Sequence, residues 1–387
     1  MEEIFLSIAI PTFNRDVKLK NQLDSIDDCL SKSKYSKRIE LLVSDNCSSD
    51  NTSQILSSFK EIKKTYKFTL NSNKQNLGGD KNIAISLQKA SGRFVWVLCD
   101  DDIIEPFAID YVFKELSVNK EVGFCFINYF IWDKQESNEL QKNRTAIPQN
   151  ENSKKTCSFE DFTNEAMFNY SMMSSCVFKK SLLTKRDFQE HMGESYFHLY
   201  WVAKILLSNP SLIIRKALFT FDHPGVVASR EAVKNRESID YDFYTRAHCN
   251  FLKFISYIKA LKLPMKLRFK IYRWVVDENF SQIIHQKVTS EKTSFDSLKI
   301  SLLTMIKTLF VSPSFWLIHL PLLVLPPVVA KKIEPLRWKY LIFRGYLVNC
   351  IRNNNKENSL DFFGLKVIIY TSLDDSIDMT YKSIKFI

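Results

Sequence analysis

The chain has 387 residues, 45% of them hydrophobic, enough for one large domain or two to three smaller ones and too apolar for a disordered protein. Its 8 glycines exclude glycine-rich repeats and collagen-like segments, and its 8 cysteines, scattered without a C-x-x-C pair, argue against zinc sites or a disulfide framework and fit a reducing compartment. The net charge of +11 is regional: residues 251–350 hold 16 Lys and Arg against 5 Asp and Glu, the rest of the chain balances, and that stretch is also rich in Phe, Leu, Ile and Trp, which suits an anionic membrane surface before a nucleic acid.

The first residues, Met1-Glu-Glu-Ile-Phe-Leu-Ser7, lack the basic n-region of a secretory signal, so the part that follows is expected in the cytoplasm. Leu6–Ile10 reads as a strand ending in Pro11-Thr-Phe-Asn-Arg15. A helix follows over about 16–30, with Leu19, Leu23 and Ile26 on one face. Ile39–Val43 is a second strand, ending in Ser44-Asp-Asn-Cys-Ser-Ser-Asp50, whose Ser and Asp residues suit the cap of a helix near 51–60. A third strand, Phe68–Asn71, leads into the polar segment Asn73–Asn82 and a helix to about Ala90, and Gly92 turns into the apolar run Phe94–Cys99. This β-α-β-α-β-α-β order predicts a parallel sheet with crossover helices.

The fourth strand ends in Asp100-Asp101-Asp102. Adjacent carboxylates repel by about 1–4 kcal/mol per close pair, and a hard cation relieves that. Mg2+ and Mn2+ are held by one or two carboxylates plus substrate phosphates, so the cluster suggests a phosphorylated substrate. Alone, it reads equally as an acidic loop or a helix N-cap. Open α/β sheets, however, bind ligands outside the carboxyl ends of their strands. All four polar segments lie at such ends. With no G-x-G-x-x-G and no G-x-x-x-x-G-K-[ST], dinucleotide binding and P-loop chemistry are disfavoured.

Four ordered segments, Ser7-Ile-Ala-Ile-Pro-Thr-Phe-Asn-Arg15, Val43-Ser-Asp-Asn-Cys-Ser-Ser-Asp50, Asn76-Leu-Gly-Gly79 and Leu98-Cys-Asp-Asp-Asp-Ile-Ile-Glu-Pro106, carry a resemblance to the inverting family 2 glycosyltransferases of the GT-A fold. It is strong over 5–110, weaker over 165–230, and within the family is most like the abequosyltransferase-like enzymes of bacterial O-antigen and capsule assembly. The resemblance implies that Pro11, Thr12 and Phe13 meet the nucleotide, that Asp45 hydrogen-bonds its base, and that Asn73, Asp80 and Lys81 meet base, ribose or phosphate. The alternative for Asn73–Lys81 is a polar turn and helix cap. The family usually reads Asp-x-Asp-Asp before a short apolar stretch and Pro, and anchoring on Pro106 places Cys99 at the first aspartate. Asp101 and Asp102 are then the expected ligands of Mg2+ or Mn2+, with Asp100 facing the ribose or donor sugar.

Inverting transfer also needs a base near the attacking hydroxyl. Ser174–Ser181 resembles the strand preceding the family's base segment, and Gly193–Lys204 follows. Matching Lys204 to the family's basic residue, six positions after its usual Glu-Asp, puts His198 at the base and Phe197 at the Glu. Glu194, one helical turn earlier, is the alternative. A His is credible because its ordinary pKa of about 6.5 lies near working pH, although a buried structural His is also open. Phe221–Gly225, with Arg230 and Arg236, resembles a segment closing on the diphosphate. There His223 is a third metal ligand, a phosphate contact, or part of a plain turn.

Residues 250–307 read as amphipathic basic helices, and 308–330 carry no formal charge. That length spans a bilayer, but Pro313, Pro321, Pro326 and Pro327 and basic flanks on both sides favour an interfacial or re-entrant hairpin over a single span, with a core or homo-oligomer contact also open. Lys366–Tyr370 suits a further strand.

The expectation is thus an α/β, GT-A, Rossmann-like, mostly parallel sheet with a C-terminal helical, membrane-associating region. Residues 1–110 bind the donor, 111–249 the acceptor and base, and 250–387 the membrane. By resemblance the partners are a nucleotide-diphospho-sugar, a lipid-linked (polyprenyl-diphosphate) glycan acceptor and the anionic cytoplasmic face of a bacterial inner membrane, with no nucleic acid. The alternatives are a sugar-phosphate nucleotidyltransferase, disfavoured because the loop after the first strand lacks Gly, and a membrane-surface binding protein with a degenerate transferase domain, which Cys99 and the missing Glu-Asp pair favour.

Overall fold

Strands β1 (Leu6–Thr12), β2 (Ile39–Asp45) and β4 (Phe94–Val97) are buried along almost their whole length, the signature of a parallel sheet covered on both faces. In this computed structural model the described residues are 3–131, 145–166, 168–192 and 196–221, isolated positions between 254 and 271, and strand residues 358–362, 365–371 and 381–386. The parallel set is completed by β3 (Lys67–Ser72), paired with β2. The register sets Thr12 beside Asp45 and Ala9 beside Val97, so the ends of β1, β2 and β4 open on one edge.

The helices follow from the spacing of apolar residues. In α1 (Asp16–Lys32) the side chains of Leu19, Leu23, Ile26 and Leu30 form one fully buried stripe, each contributing about 1.5–3 kcal/mol. The helix α2 (Thr52–Glu61) buries Leu56 and Phe59, and α3 (Gly79–Lys89) packs on β1 and β2. Gly78, at φ 86, gives α3 its abrupt start in a conformation that side chains disfavour. At Gly92 a Cβ would meet the Ser7 backbone nitrogen at 2.6 Å, so only Gly lets the turn into β4 pass so close to β1.

The second half extends the same sheet with β5 (Ile103–Ile104), α4 (Ala108–Val118), β6 (Phe124–Ile131), β7 (Lys154–Thr156), α5 (Phe159–Ala166), β8 (Cys176–Lys179), α6 (His198–Leu206) and β9 (Ser211–Phe221). The order is β3-β2-β1-β4-β8-β6-β9-β5, with β7 on β9. Here the expected mostly parallel sheet is corrected: β4–β8, β6–β8, β5–β9 and β7–β9 are antiparallel, and only β6–β9 is parallel. The sheet is mixed because β8 inserts between β4 and β6 and runs antiparallel to both. Its place is fixed by the Trp96 indole, which donates a 2.8 Å hydrogen bond to the Ser174 carbonyl just before β8.

The chain divides into two compact units, Met1–Leu267 and Arg268–Ile387. Within the second, β10 (Asn358–Phe362), β11 (Leu365–Thr371) and β12 (Tyr381–Phe386) form an antiparallel sheet in that order, and β11 contains the strand expected at Lys366–Tyr370. The expected membrane segment 308–330 lies outside the described residues. Among the described residues no helix is long and apolar enough to cross a membrane.

Candidate active site

The edge where β1, β2 and β4 end gathers most of the polar residues singled out in the sequence. At the end of β1, Thr12 is buried, Pro11 half-buried and Phe13 exposed. The chain then turns through Asn14, at φ 52, a left-handed conformation uncommon for a residue with a side chain. The turn is held from the next loop: Asn14 N donates to Ser48 Oγ at 2.9 Å, and Asn14 Oδ1 accepts from Ser49 N at 2.8 Å. Asp45, buried at the end of β2, accepts from Ser48 N at 3.1 Å and Ser48 Oγ at 2.6 Å, and so shapes its own loop.

Behind this edge lies an amide network that the sequence reading did not isolate. Buried Asn82, on α3, donates to the Ser44 carbonyl at 2.8 Å and the Thr12 carbonyl at 3.4 Å. Its Oδ1 accepts from Ser44 Oγ at 2.7 Å and Asn73 Nδ2 at 3.0 Å. Asn46 Oδ1 accepts from Asn73 Nδ2 and from Leu77 N, each at 3.0 Å, and Asn46 Nδ2 donates to Asn76 Oδ1 at 2.8 Å. Asn73 thus joins the network directly, while Asp80 is half-buried and Lys81 exposed in the first turn of α3. The available signal was a polar residue, Asn82, on the face of α3 that also buries Ala84, Ser86 and Leu87.

The carboxylates close the site. Asp100 Oδ2 accepts a 2.7 Å hydrogen bond from Thr12 Oγ1, and Asp101 Oδ2 accepts one of 2.9 Å from Arg15 Nη1. Lys18 Nζ lies 3.6 Å from the same Asp101 oxygen. Beneath the loop, Gln22 donates from Nε2 to the carbonyls of Cys99 and Asp102, while its Oε1 is buried without a hydrogen-bond partner. Burial pushes the Asp100 carboxyl up to about 6 against the opposing pull of Thr12 and Arg15. Burial likewise pushes the Cys99 thiol well up, with Asp102 adding to it, so Cys99 is a protonated strand-end residue rather than a thiolate. Its backbone nitrogen donates to Ser174 Oγ at 2.9 Å. A cavity of about 250 Å³ adjoins the loop, lined by Lys18, Asn21, Gln22, Ser25, Asp100, Asp101, Asp102 and Ile103.

A hard divalent cation fits this donor set. The side chains of Asp100, Asp101 and Asp102 offer carboxylate oxygens, the hard donors that such an ion takes. Cationic side chains already gather on Asp101. Among the described residues no three His, Cys, Asp or Glu side chains converge as a complete ligand set.

Further along the chain, His198 opens α6 and is 3% exposed, with its Nε2 3.3 Å from the Tyr170 carbonyl. Burial holds its pKa down to about 4, so the ring is neutral at ordinary pH. Tyr170 lies in the short turn Asn169–Ser171, the next turn, Met173–Ser175, carries Ser174, and Ser174 holds Cys99. Lys204 is engaged by Asp187, both carboxylate oxygens lying 2.6 Å from its Nζ. Glu194, His223, Arg230 and Arg236 lie outside the described residues.

A curled α/β sheet whose strand-end carboxylates face a polar, partly cationic edge is the plan of a GT-A-type transferase. The chain matches the family described as glycosyl transferase family 2 over residues 7–181. It is 31% identical over 235 residues to a GalNAc(5)-diNAcBac-PP-undecaprenol beta-1,3-glucosyltransferase of Campylobacter jejuni, a match covering 59% of this chain and 70% of that protein. It is 28% identical over 124 residues to the abequosyltransferase RfbV of Salmonella typhimurium, covering 32% of this chain and 35% of that one. The crystal structure of S. aureus TarS residues 1–349 has the same fold, with a TM-score of 0.57 at 16% identity over 98% of this chain and 99% of that one. The chain belongs to glycosyl transferase family 2, and is a transferase.

Proposed function

We propose that the protein moves a sugar from a nucleotide-diphospho-sugar to a polyprenyl-diphosphate-linked glycan, with inversion at the anomeric carbon, in the assembly of a bacterial surface polysaccharide. The observation that carries this reading is the Asp100–Asp102 loop at the end of β4, tied to the end of β1 by Thr12 and Arg15. The Campylobacter jejuni relative is named for an undecaprenol-diphosphate-linked substrate, and TarS has been crystallised with UDP-GlcNAc.

In this reading Pro11, Thr12 and Phe13 meet the nucleotide, Asp45 hydrogen-bonds its base, and Asn73, Asp80 and Lys81 meet base, ribose or phosphate. Asp101 and Asp102 hold Mg2+ or Mn2+, with His223 a third ligand or phosphate contact, and Asp100 faces the ribose or donor sugar. The ion, when bound, offsets charge on the leaving diphosphate. The acceptor hydroxyl attacks the anomeric carbon as the bond to the diphosphate oxygen breaks, and the hydroxyl proton passes to His198. Burial keeps this ring neutral, the form that can take up a proton, and its Nε2 lies 3.3 Å from the Tyr170 carbonyl. Glu194 is the alternative base. Residues 1–110 take the donor and 111–249 the acceptor. The basic stretch within 250–387 keeps the enzyme on the cytoplasmic face of the membrane, where a lipid-linked acceptor lies.

The test is an assay of the full chain with UDP-, GDP-, dTDP- and CDP-sugars, Mn2+ or Mg2+, and a polyprenyl-diphosphate-linked acceptor. One donor class should be consumed, with the anomeric configuration of the product inverted by NMR, and Asp101→Asn should abolish turnover. If no donor is consumed and no nucleoside diphosphate raises the unfolding temperature, the reading fails and a degenerate, membrane-surface binding protein takes its place.

A further inference from the structure

Arg15 is the residue that precedes α1 and Lys18 lies in the first turn of that helix. Both converge on a single carboxylate oxygen. Arg15 Nη1 lies 2.9 Å from Asp101 Oδ2 and Lys18 Nζ 3.6 Å from it, while Arg15 Nη1 is also 4.0 Å from Asp100 Oδ1. Asp100 has a second tie, its bond from Thr12, so it keeps its place if Arg15 leaves. Asp101 is therefore the carboxylate whose cationic partners are exchangeable. The Arg15 side chain is 40% exposed and the Lys18 side chain 31%, which leaves both room to move.

We propose that Arg15, assisted by Lys18, is a built-in counter-ion that Asp101 exchanges for a divalent cation only as the guanidinium passes to the substrate's diphosphate, so that cation and nucleoside diphosphate bind cooperatively. The proposal rests on the reading above of Asp101 as a metal ligand. The charge balance gives the reason. A divalent ion arriving alone meets the guanidinium and ammonium at the oxygen it needs, and like charges at that range oppose it. A nucleoside diphosphate arriving alone finds Arg15 held by Asp101, with the carboxylates facing it. When both arrive, the ion takes the carboxylate and the guanidinium takes phosphate oxygens, for which its planar fork is well matched. Each ligand removes the obstacle to the other. By linkage the effect is reciprocal, and couplings of this kind are about 5–150-fold.

The experiment measures Mn2+ binding to the full chain by EPR, with and without each of UDP, GDP, dTDP and CDP, in the wild type, Arg15→Gln, Arg15→Lys and Asp101→Asn. Circular dichroism confirms that each variant is folded. In the wild type one nucleotide should tighten Mn2+ by about tenfold or more. Arg15→Gln should bind Mn2+ alone about fivefold or more tighter, and should lose about that factor of coupling to the same nucleotide. Arg15→Lys, which keeps the charge, should stay near the wild type for Mn2+ alone but bind the nucleotide more weakly. Because chelation of Mn2+ by free nucleotide is common to all of these proteins, the difference between them isolates the protein's part. If Arg15→Gln changes neither Mn2+ affinity nor coupling while Asp101→Asn loses Mn2+, the exchange is wrong and the metal assignment stands. If Asp101→Asn binds Mn2+ as the wild type does, both are wrong.

Discussion

The Thr12 hydroxyl donates a 2.7 Å hydrogen bond to Asp100 Oδ2, joining the end of β1 to the loop after β4 across 88 positions of sequence. Asp100 is buried, and burial already pushes its carboxyl up to about 6, against which the Thr12 bond works. Thr12→Val keeps the branched shape and removes the donor. A buried acceptor stripped of its partner costs about 1–3 kcal/mol. Urea unfolding should show a loss of that size, and Thr12→Ser should restore most of it. Equal stability of the Val variant and the wild type would mean that this bond contributes nothing.

Asn82 performs the corresponding task for β1 and β2. Its amide nitrogen faces the carbonyls of Ser44 and Thr12, and its oxygen faces the hydroxyl of Ser44 and the amide of Asn73. Donor and acceptor are therefore assigned by their surroundings. Asn82→Ala should cost about 2 kcal/mol or more, from several buried groups left without partners. Asn82→Asp, nearly the same shape, places oxygen against two carbonyl oxygens and should be the worse of the two. The comparison is made by thermal unfolding, and the nucleoside diphosphate that stabilises the wild type should stabilise Asn82→Asp less. An Asp variant as stable as the wild type would remove Asn82 from this role.

The first four strands were legible because buried parallel strands read as short apolar runs, and Leu19, Leu23 and Ile26 mark α1 by helical spacing. The polar segments at their ends were legible for the same reason, since the order of elements already places them on one edge. The mixed second half was not. A run of four residues, Cys176–Lys179, carries no periodicity to reveal the direction of β8, and the Trp96–Ser174 contact beside it joins residues far apart in sequence. Nor did sequence show that Arg15 and Lys18 pair with Asp101, because the pairing requires the start of α1 and the end of β4 to be adjacent in space. The surroundings of His198 were hidden as well: the helical pattern of α6 is apolar nearly all round, so its buried side could not be chosen.

Glu40 is fully buried at the opposite end of the strands from Thr12, the partner of the carboxylate loop: it pairs with Ser7, five positions from Thr12 along β1. Burial alone would raise its pKa. Hydrogen bonds from Ser7 Oγ at 2.6 Å, Ser91 N at 2.7 Å and Thr69 Oγ1 at 2.7 Å, with Lys67 Nζ at 2.9 Å, outweigh that and hold it below the usual carboxylate range. A depressed carboxylate stabilises the fold above its unfolded pKa of about 4.3, and that stability is lost as pH falls through the folded value. Glu40→Gln should therefore be less stable than the wild type at pH 7, and its stability should fall less steeply below about pH 4.3. Parallel slopes for the two proteins in acid urea titrations would show that Glu40 does not carry this dependence.

His198 offers a test of both stability and chemistry. Its pKa is held down to about 4 by burial, against about 6.5 in an unfolded chain. As pH falls from 6.5 towards 4 the unfolded chain takes up a proton that the native protein refuses, so this residue lowers stability by about 3 kcal/mol across that window. His198→Gln should lose that part of the slope. The same residue, as the base, should show a second effect: His198→Ala should leave donor binding intact and lower transfer by at least about a hundredfold, the lower range for loss of a general base. The two effects separate the roles. A variant that loses the slope but keeps near-normal turnover would make His198 a packing residue of α6, held by Tyr170, and would move the base to Glu194. A variant that loses turnover while its nucleotide affinity and its stability at pH 8, where the ring is neutral in both states, stay near the wild type would fix His198 as the group that accepts the acceptor's proton.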